Sequence, residues 1–507
     1  MEKVRKVFSS VEFHCLLAAV VFITICSKSS FFYPLNDWGD VDCYFIIGQG
    51  MLKGLVPYRD LCDQKGIVIF GLYAIANFIS TTSFFGVYIL EIISAFFYLL
   101  ITVKTAELFC GVHRYSLPLC FIVAGSVYSS ASICHGGSAE ELLLPLFAYG
   151  MYLCIKQIAN KTIPSGKEMF VFGIFAGLIF FSKFTLCAFY LALILVMIID
   201  AAYNNNVALL FKRAGLFICG CILVCIPVIA YFAYNHALGD MFTAYFYNSI
   251  FHYIPDDPDI DFLFRTSTFF RKRNILPIIL LGLSFIYCII ERKKMILFGH
   301  IVVFLSIFYM QFFVGFPQKY YGIPLYSLIA VGLNIVVDLF DRWKINSKKY
   351  INAIILVVMI AIAFIFTNNK YMLFQKKEDT RQFILADKMN SYGYDDYHML
   401  SYNNLDDGYY FATGKFPNFR AFIQSNVDDG TLINEQNALI DSGSVEFIVT
   451  KKILCDTKDY EKTVDKYGKK KEKYITAFDN FKYELVDETE QFYEDEYFLV
   501  KLYKLKD

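Results

Sequence analysis

Runs of roughly 20 apolar residues, the length that crosses a hydrocarbon core, recur along most of this 507-residue chain and are separated by short charged loops. A chain so patterned is a polytopic α-helical membrane protein. Its composition agrees, with 57% hydrophobic and only 19% charged residues. The runs are Val11 to about Phe32, Phe85 to Leu108, Leu117 to Ile133, Leu142 to Ile158, Phe170 to Ser182, Leu186 to Ala201, Leu216 to Tyr234, Ile275 to Ile290, Met295 to Val314, Tyr321 to Phe340 and Ile351 to Phe366, about 11 transmembrane helices in all. Gly66 to Ser80 is also apolar, but at about 15 residues it is too short to cross and reads as a second surface or half-buried helix.

Charge placement sets the expected topology. Lys3, Arg5 and Lys6 precede the first span and hold the N-terminus in the cytoplasm. His113-Arg114, Lys156 with Lys161 and Lys167, Lys212-Arg213, Arg292 to Lys294, and Arg342 to Lys349 then all fall on the cytoplasmic side. Counting Gly66 to Ser80 as a span would put several of these clusters outside. A signal peptide is the competing reading of the first run, which is long for one and is followed by no small-residue cleavage pattern. The external segments are Pro34 to Gly66, His135 to Glu141, the turn near Lys183, Asn235 to Asn274 and Gly315 to Gly322. From Asn368 to Asp507 the composition turns polar, and strand-like runs at Glu446 to Thr450 and Tyr497 to Lys504 predict a small external C-terminal α/β domain. The expected division is a bundle over 1–367 and that domain over 368–507.

The formal net charge is zero, so nothing calls for nucleic acid. Of fourteen cysteines most lie inside apolar runs, without CxxC spacing, and act as small hydrophobes. Cys43 and Cys62 share the opening external loop and could pair if it faces an oxidising space.

That opening loop, PLNDWGDVDCYFIIGQGMLKGLVPYRDLCDQKG, packs five carboxylates, an arginine and lysines between apolar flanks. Val41, Tyr44, Phe45, Gly48, Met51 and Leu52 recur at helical spacing, which predicts a short helix lying on the membrane surface, N-capped by Asp40 and stopped by Gly54. Asp40 and Asp42 have a spacing that can chelate a hard divalent cation (Mg or Mn) or set one carboxylate against a substrate hydroxyl; the alternative is an N-cap with a solvated neighbour. Glu140 and Glu141 stand where an external loop enters a span, a costly place for carboxylates unless they are paired or hydrated, although acidic residues also suit a helix start. Lys183 lies in apolar FFSKFTLC, as a phosphate partner or a snorkelling lysine. Arg59, Lys65 and Lys319 are the other external cations near the bilayer, and Tyr320 and Tyr321, which follow Lys319, would also fit an aromatic belt.

The first span, the acidic loop with Asp40-Val-Asp42, and then Gly48, Met51-Leu52-x-Gly54-x-x-Pro57-Tyr58-Arg59-Asp60 and Asp63-x-Lys65-Gly66 resemble the GT-C membrane glycosyltransferases. The likeness is to the bacterial branch related to protein mannosyltransferases and the aminoarabinose lipid A transferase. It extends over Ser138 to Pro145, Lys183, the aromatic stretch around Asn248, the QKYYG loop and Tyr409 to Pro417. Two positions depart from the pattern: Ile67 stands where members often have Pro, and Lys319 where they often have His before the paired tyrosines. The resemblance implies an integral protein of the bacterial plasma membrane that takes a sugar from a polyprenyl-phosphate carrier and places it on an external glycan, lipid or protein acceptor. It maps the acidic first-loop position onto Asp40 and the second-loop carboxylate onto Glu140 or Glu141. On that reading Asp40 is the base, and Arg59, Asp60, Asp63, Lys65, Glu140, Glu141, Lys183, Lys319, Tyr320 and Tyr321 surround the substrates. A transporter or flippase, or a polymerase of lipid-linked saccharides, are the alternatives. Transport calls for ionisable groups near mid-membrane, whereas most of those here sit in external loops or at span ends.

Overall fold

The computed structural model describes residues 10–252, 262–314, 317–345, 349–424, 430–453, 478, 480–493 and 496–506. Lys3, Arg5 and Lys6, the middle of the Asn235–Asn274 loop, and parts of the Gly315–Gly322 and Arg342–Lys349 segments lie outside them.

Helix α1 (Val11–Cys26) starts at Ser10, whose hydroxyl accepts from the Phe13 N–H. Next come α2 (Gly39–Leu52) and α3 (Ile67–Ile79), and then α4 (Phe85–Ala106), α5 (Ser116–Tyr128), the short α6 (Ala139–Leu142), α7 (Leu144–Asn160), α8 (Gly166–Phe180), α9 (Cys187–Tyr203) and α10 (Val207–Tyr234). The bundle ends with α11 (Ile275–Ile290), α12 (Lys294–Phe312), α13 (Leu333–Arg342) and α14 (Lys349–Phe366). Among the described residues five helical stretches are long and apolar enough to cross a membrane, Phe85–Ala106, Phe184–Tyr203, Val207–Tyr234, Lys294–Phe312 and Lys319–Arg342. The other expected spans are shorter helices. The run Leu117 to Ile133, for instance, breaks after Tyr128, and Ala131–Ile133 forms a separate turn of 3-10 helix.

The expected span from Tyr321 is entered by a 3-10 helix, Lys319–Gly332, that runs into α13. Helix α3 is 13 residues, about 20 Å of helix, and packs on α2 and α4.

Helix α2 is not exposed along its length: Gly39 through Gly48 are buried between α3 and the C-terminal region. A Cβ on Gly39 would stand 2.8 Å from Leu405 Cβ and 3.0 Å from the Asp406 carbonyl, so the chain after α14 closes directly over the start of α2. Nor is Asp40 its N-cap. Trp38 holds that position, without a side-chain cap, and Asp40 is already inside the first turn. Trp38 is fixed there by its ring contacts with His135 and Tyr320, at 5.5 and 5.2 Å, and those outweigh the preference of Asp for a cap.

After α14 the chain carries a four-stranded sheet, β1 (Met399–Ser401), β2 (Phe447–Ile453), β3 (Tyr483–Tyr493) and β4 (Glu496–Leu505), in the order β1-β2-β4-β3. β1 pairs parallel with β2, and the other pairings are antiparallel. Both strands expected from sequence are present as β2 and β4. Cys43 and Cys62 are separate free thiols.

Candidate active site

Four segments distant in sequence meet at one end of the bundle. The first turn of α2 supplies Asp40, the loop before α3 supplies Lys65, the segment into α6 supplies Glu140, and the turn between α8 and α9 supplies Lys183. One backbone contact sets the two lysines side by side. The Gly66 N–H donates to the Ser182 carbonyl at 3.0 Å, and the Val68 N–H donates to Phe181 at 3.1 Å. A Cβ on Gly66 would lie 2.0 Å from the Phe181 oxygen, so only glycine allows this approach. Tyr58, at φ 71°, braces the loop by donating its hydroxyl to the Lys65 carbonyl at 2.7 Å.

Asp40 Oδ2 lies 3.3 Å from Lys65 Nζ and accepts from the Tyr320 hydroxyl at 3.4 Å. Lys183 Nζ donates to Glu140 Oε1 at 2.6 Å and stands 3.8 Å from the Tyr321 ring centroid and 5.6 Å from that of Tyr320. The two tyrosine rings meet edge-on at 5.0 Å and so join the two ion pairs into one cluster. Lys65 also faces the Tyr44 ring at 5.5 Å. Asp63 is buried beside this cluster; burial raises its pKa, Asp40 adds to the rise and Lys65 opposes it.

The paired glutamates separate. Glu140 belongs to the cluster, whereas Glu141 accepts from the Gly137 N–H at 3.0 Å and neighbours Glu91, which accepts from Ser27 at 2.8 Å. Arg59 is turned outward, binding the adjacent Asp60 and the Asn235 carbonyl at 2.8 Å, and Asp60 is held below the usual carboxylate range by Arg59. Lys319 is half-buried at the start of the 3-10 helix.

Asp42 takes a different side of α2 from Asp40. Both its oxygens are buried without a hydrogen-bond partner, facing Gly408, and its pKa is pushed well up by burial, then by Asp406, Asp37 and Asp407, with Lys28 opposing. Two residues apart on a helix, the two carboxylates point about 200° apart and do not converge on one cation. Among the described residues no group of three or more His, Cys, Asp or Glu could hold a metal ion. Asp42 instead joins a seam with the C-terminal region, where Lys28 pairs with Asp37 and donates to the Tyr371 hydroxyl at 2.6 Å, and Lys451 pairs with Asp407. Asp406 is pushed up to about 7 by burial against its bonds from Ser401 and from the Gly408 and Tyr410 N–H groups. Sequence reasoning missed Lys28, Asp37, Asp406 and Asp407, and also the Trp38, His135 and Tyr44 rings. The Asp-Asp-Gly turn at Asp406 was the one local signal.

A buried carboxylate beside a lysine and a phenol, with a second lysine one tyrosine away, can take a proton and hold an anion within one cluster. This helical architecture, with a cluster at the loop end and a small C-terminal sheet, is of the GT-C type in fold. The chain is similar to ArnT from Cupriavidus metallidurans, in the structure bound to undecaprenyl phosphate (TM-score 0.57) and in the apo state (TM-score 0.58). In both cases identity is 9%, covering 87% of this chain and 92% of ArnT, so the likeness is one of fold. No family model matches the chain, and neither does any curated protein.

Proposed function

We propose that the chain is an inverting membrane glycosyltransferase that moves a sugar from a polyprenyl-phosphate carrier to an acceptor hydroxyl outside the membrane. Asp40, in contact with both Lys65 and Tyr320, carries the reading. Its carboxylate takes the proton of the acceptor hydroxyl as that oxygen attacks the anomeric carbon, and the bond to the carrier phosphate breaks on the opposite face. Lys183 receives the negative charge that develops on the leaving phosphate, exchanging part of its contact with Glu140 for it. Tyr320 and Tyr321 supply the ring surface between base and cation. Arg59, bound to Asp60 and turned outward, has no part in the step. Asp40 and Asp42 act apart in this step, because their carboxylates do not converge on one cation.

The bilayer, the lipid donor and an external acceptor are the partners this reading requires, in a bacterial plasma membrane with the N-terminus cytoplasmic and the C-terminal region outside. The fold likeness to a protein crystallised with undecaprenyl phosphate supports the donor class. A transporter is the weaker reading: the buried carboxyl in α4, Glu91, is one helical turn or two from the site end, beside Ser27, and not at mid-span. Reconstituted protein given a labelled polyprenyl-phosphate sugar separates the two. Label appearing on a water-exposed acceptor, with release of the carrier phosphate, is expected; label crossing the bilayer still attached to its carrier would overturn the enzyme reading.

A further inference from the structure

The opposite end of the bundle holds a charged cavity, of about 520 Å³, where the far ends of α4, α7 and α9 meet the start of α12. About 25 Å of helix α9 separates it from Lys183. Lys161, Lys293 and Lys294 line it, with Phe109 and Met295 among its apolar walls. Among the described residues none of these lysines forms an ion pair; Lys293 rests 5.5 Å from the Phe109 ring centroid. The one acidic group in the wall, Asp200, is buried, with its carboxylate taken up by Gln157 at 2.9 Å and Asn204 at 3.0 Å.

The first turn of the 19-residue α12 also borders the cavity, through Met295 and Ile296, and no side chain caps it. Its N–H groups and the positive end of its dipole therefore add to the three lysine charges. Beside the cavity, α9 and α12 pack together and expose continuous apolar stripes, Leu191, Leu195 and Ile198 on one and Ile301 and Leu305 on the other. A ligand that satisfies both features has an anionic head and long apolar chains.

We infer that this cavity holds the phosphate of an anionic phospholipid headgroup, whose acyl chains run along the α9 and α12 stripes. By charge placement it lies in the cytoplasmic leaflet, where anionic lipids add favourable binding for each nearby lysine. The test uses the full-length protein, purified and delipidated in detergent, with melting temperature and lipid binding followed against phosphatidylglycerol, phosphatidylcholine and inorganic phosphate.

Phosphatidylglycerol is expected to raise the melting temperature and phosphatidylcholine to leave it unchanged. K161Q/K293Q/K294Q is expected to weaken phosphatidylglycerol binding about 100-fold, and the matching triple arginine variant to retain it. If the triple glutamine variant does not fold, each single variant should lose about 5-fold. Equal shifts with both lipids, an equal shift with inorganic phosphate alone, or unchanged affinity in the glutamine variants would each overturn the assignment; the second would make it a soluble-anion site.

Discussion

Lys65 Nζ lies 3.3 Å from Asp40 Oδ2, and the loop that joins them holds its lysine in place through the Gly66–Ser182 contact. The two lysines are thus positioned by backbone, with Lys65 and Lys183 on either side of one close approach.

Gly66→Ala tests that arrangement without touching a charge. The added Cβ would meet the Phe181 carbonyl, so the strands of loop have to part and the two lysines move relative to Asp40. Displacements of about 1 Å can cost on the order of 100-fold in rate. Turnover is expected to fall by that order, with about 1–3 kcal/mol lost in stability. Full activity in the alanine variant would show that this contact does not set the site.

Lys183→Ala leaves the Glu140 carboxyl buried without its lysine, which should destabilise the protein by roughly 3–5 kcal/mol. Adding Glu140→Gln should restore most of that stability but not donor use, since the leaving phosphate still lacks its cation. Lys183→Arg should keep donor use far better than Lys183→Ala. Thermal melts and donor kinetics on the four proteins check this; recovery of donor use in the double variant would return Lys183 to a structural role.

Asp42 sits across α2 from the proposed chemistry and holds its proton more tightly folded than unfolded. The native state therefore binds the extra proton, and stability is full below the ordinary carboxylate pKa, falls as pH rises toward the folded value, and then levels off. Asp406, at about 7, acts in the same direction at the same seam. Asp42→Asn should melt higher than the parent, by a margin that grows from about pH 5 to pH 7, with turnover nearly intact. A margin that shrinks over that range would contradict the buried, protonated state.

The charged residues of this site were conspicuous because they interrupt apolar sequence: Lys65 and Lys183 stand out for that reason, and the helical spacing from Val41 to Leu52 marks α2. What sequence could not show is direction. Glu140 and Glu141 are adjacent, yet one faces Lys183 and the other Gly137. Asp40 and Asp42 are two residues apart, yet one faces Lys65 and the other Gly408. Arg59 was read as a site cation from its place in the loop, but the neighbouring Asp60 takes it outward. The Lys28–Asp37 pair and its link to Tyr371, 343 positions away, depend on how the C-terminal region closes over α2, and no local pattern encodes that.

The C-terminal region touches the start of α2 through Leu405 and Asp406, so it and the Asp40 cluster share one end of the bundle. For a transferase with an external acceptor that end lies outside. Protease added to intact spheroplasts should remove the C-terminal region, and cleavage confined to inverted vesicles would reverse the topology and exclude an external acceptor.

The most direct measurement is sugar transfer by purified Asp40→Asn protein. Asn keeps the size and much of the hydrogen bonding to Lys65 and Tyr320 but cannot take a proton, and loss of a general base costs about 100-fold to 10,000-fold. A well-folded Asp40→Asn protein is expected to lose rate within that range while Asp42→Asn, the control on the other face of α2, stays near the parent. Transfer by Asp40→Asn at more than about a third of the parent rate would contradict its role as the base.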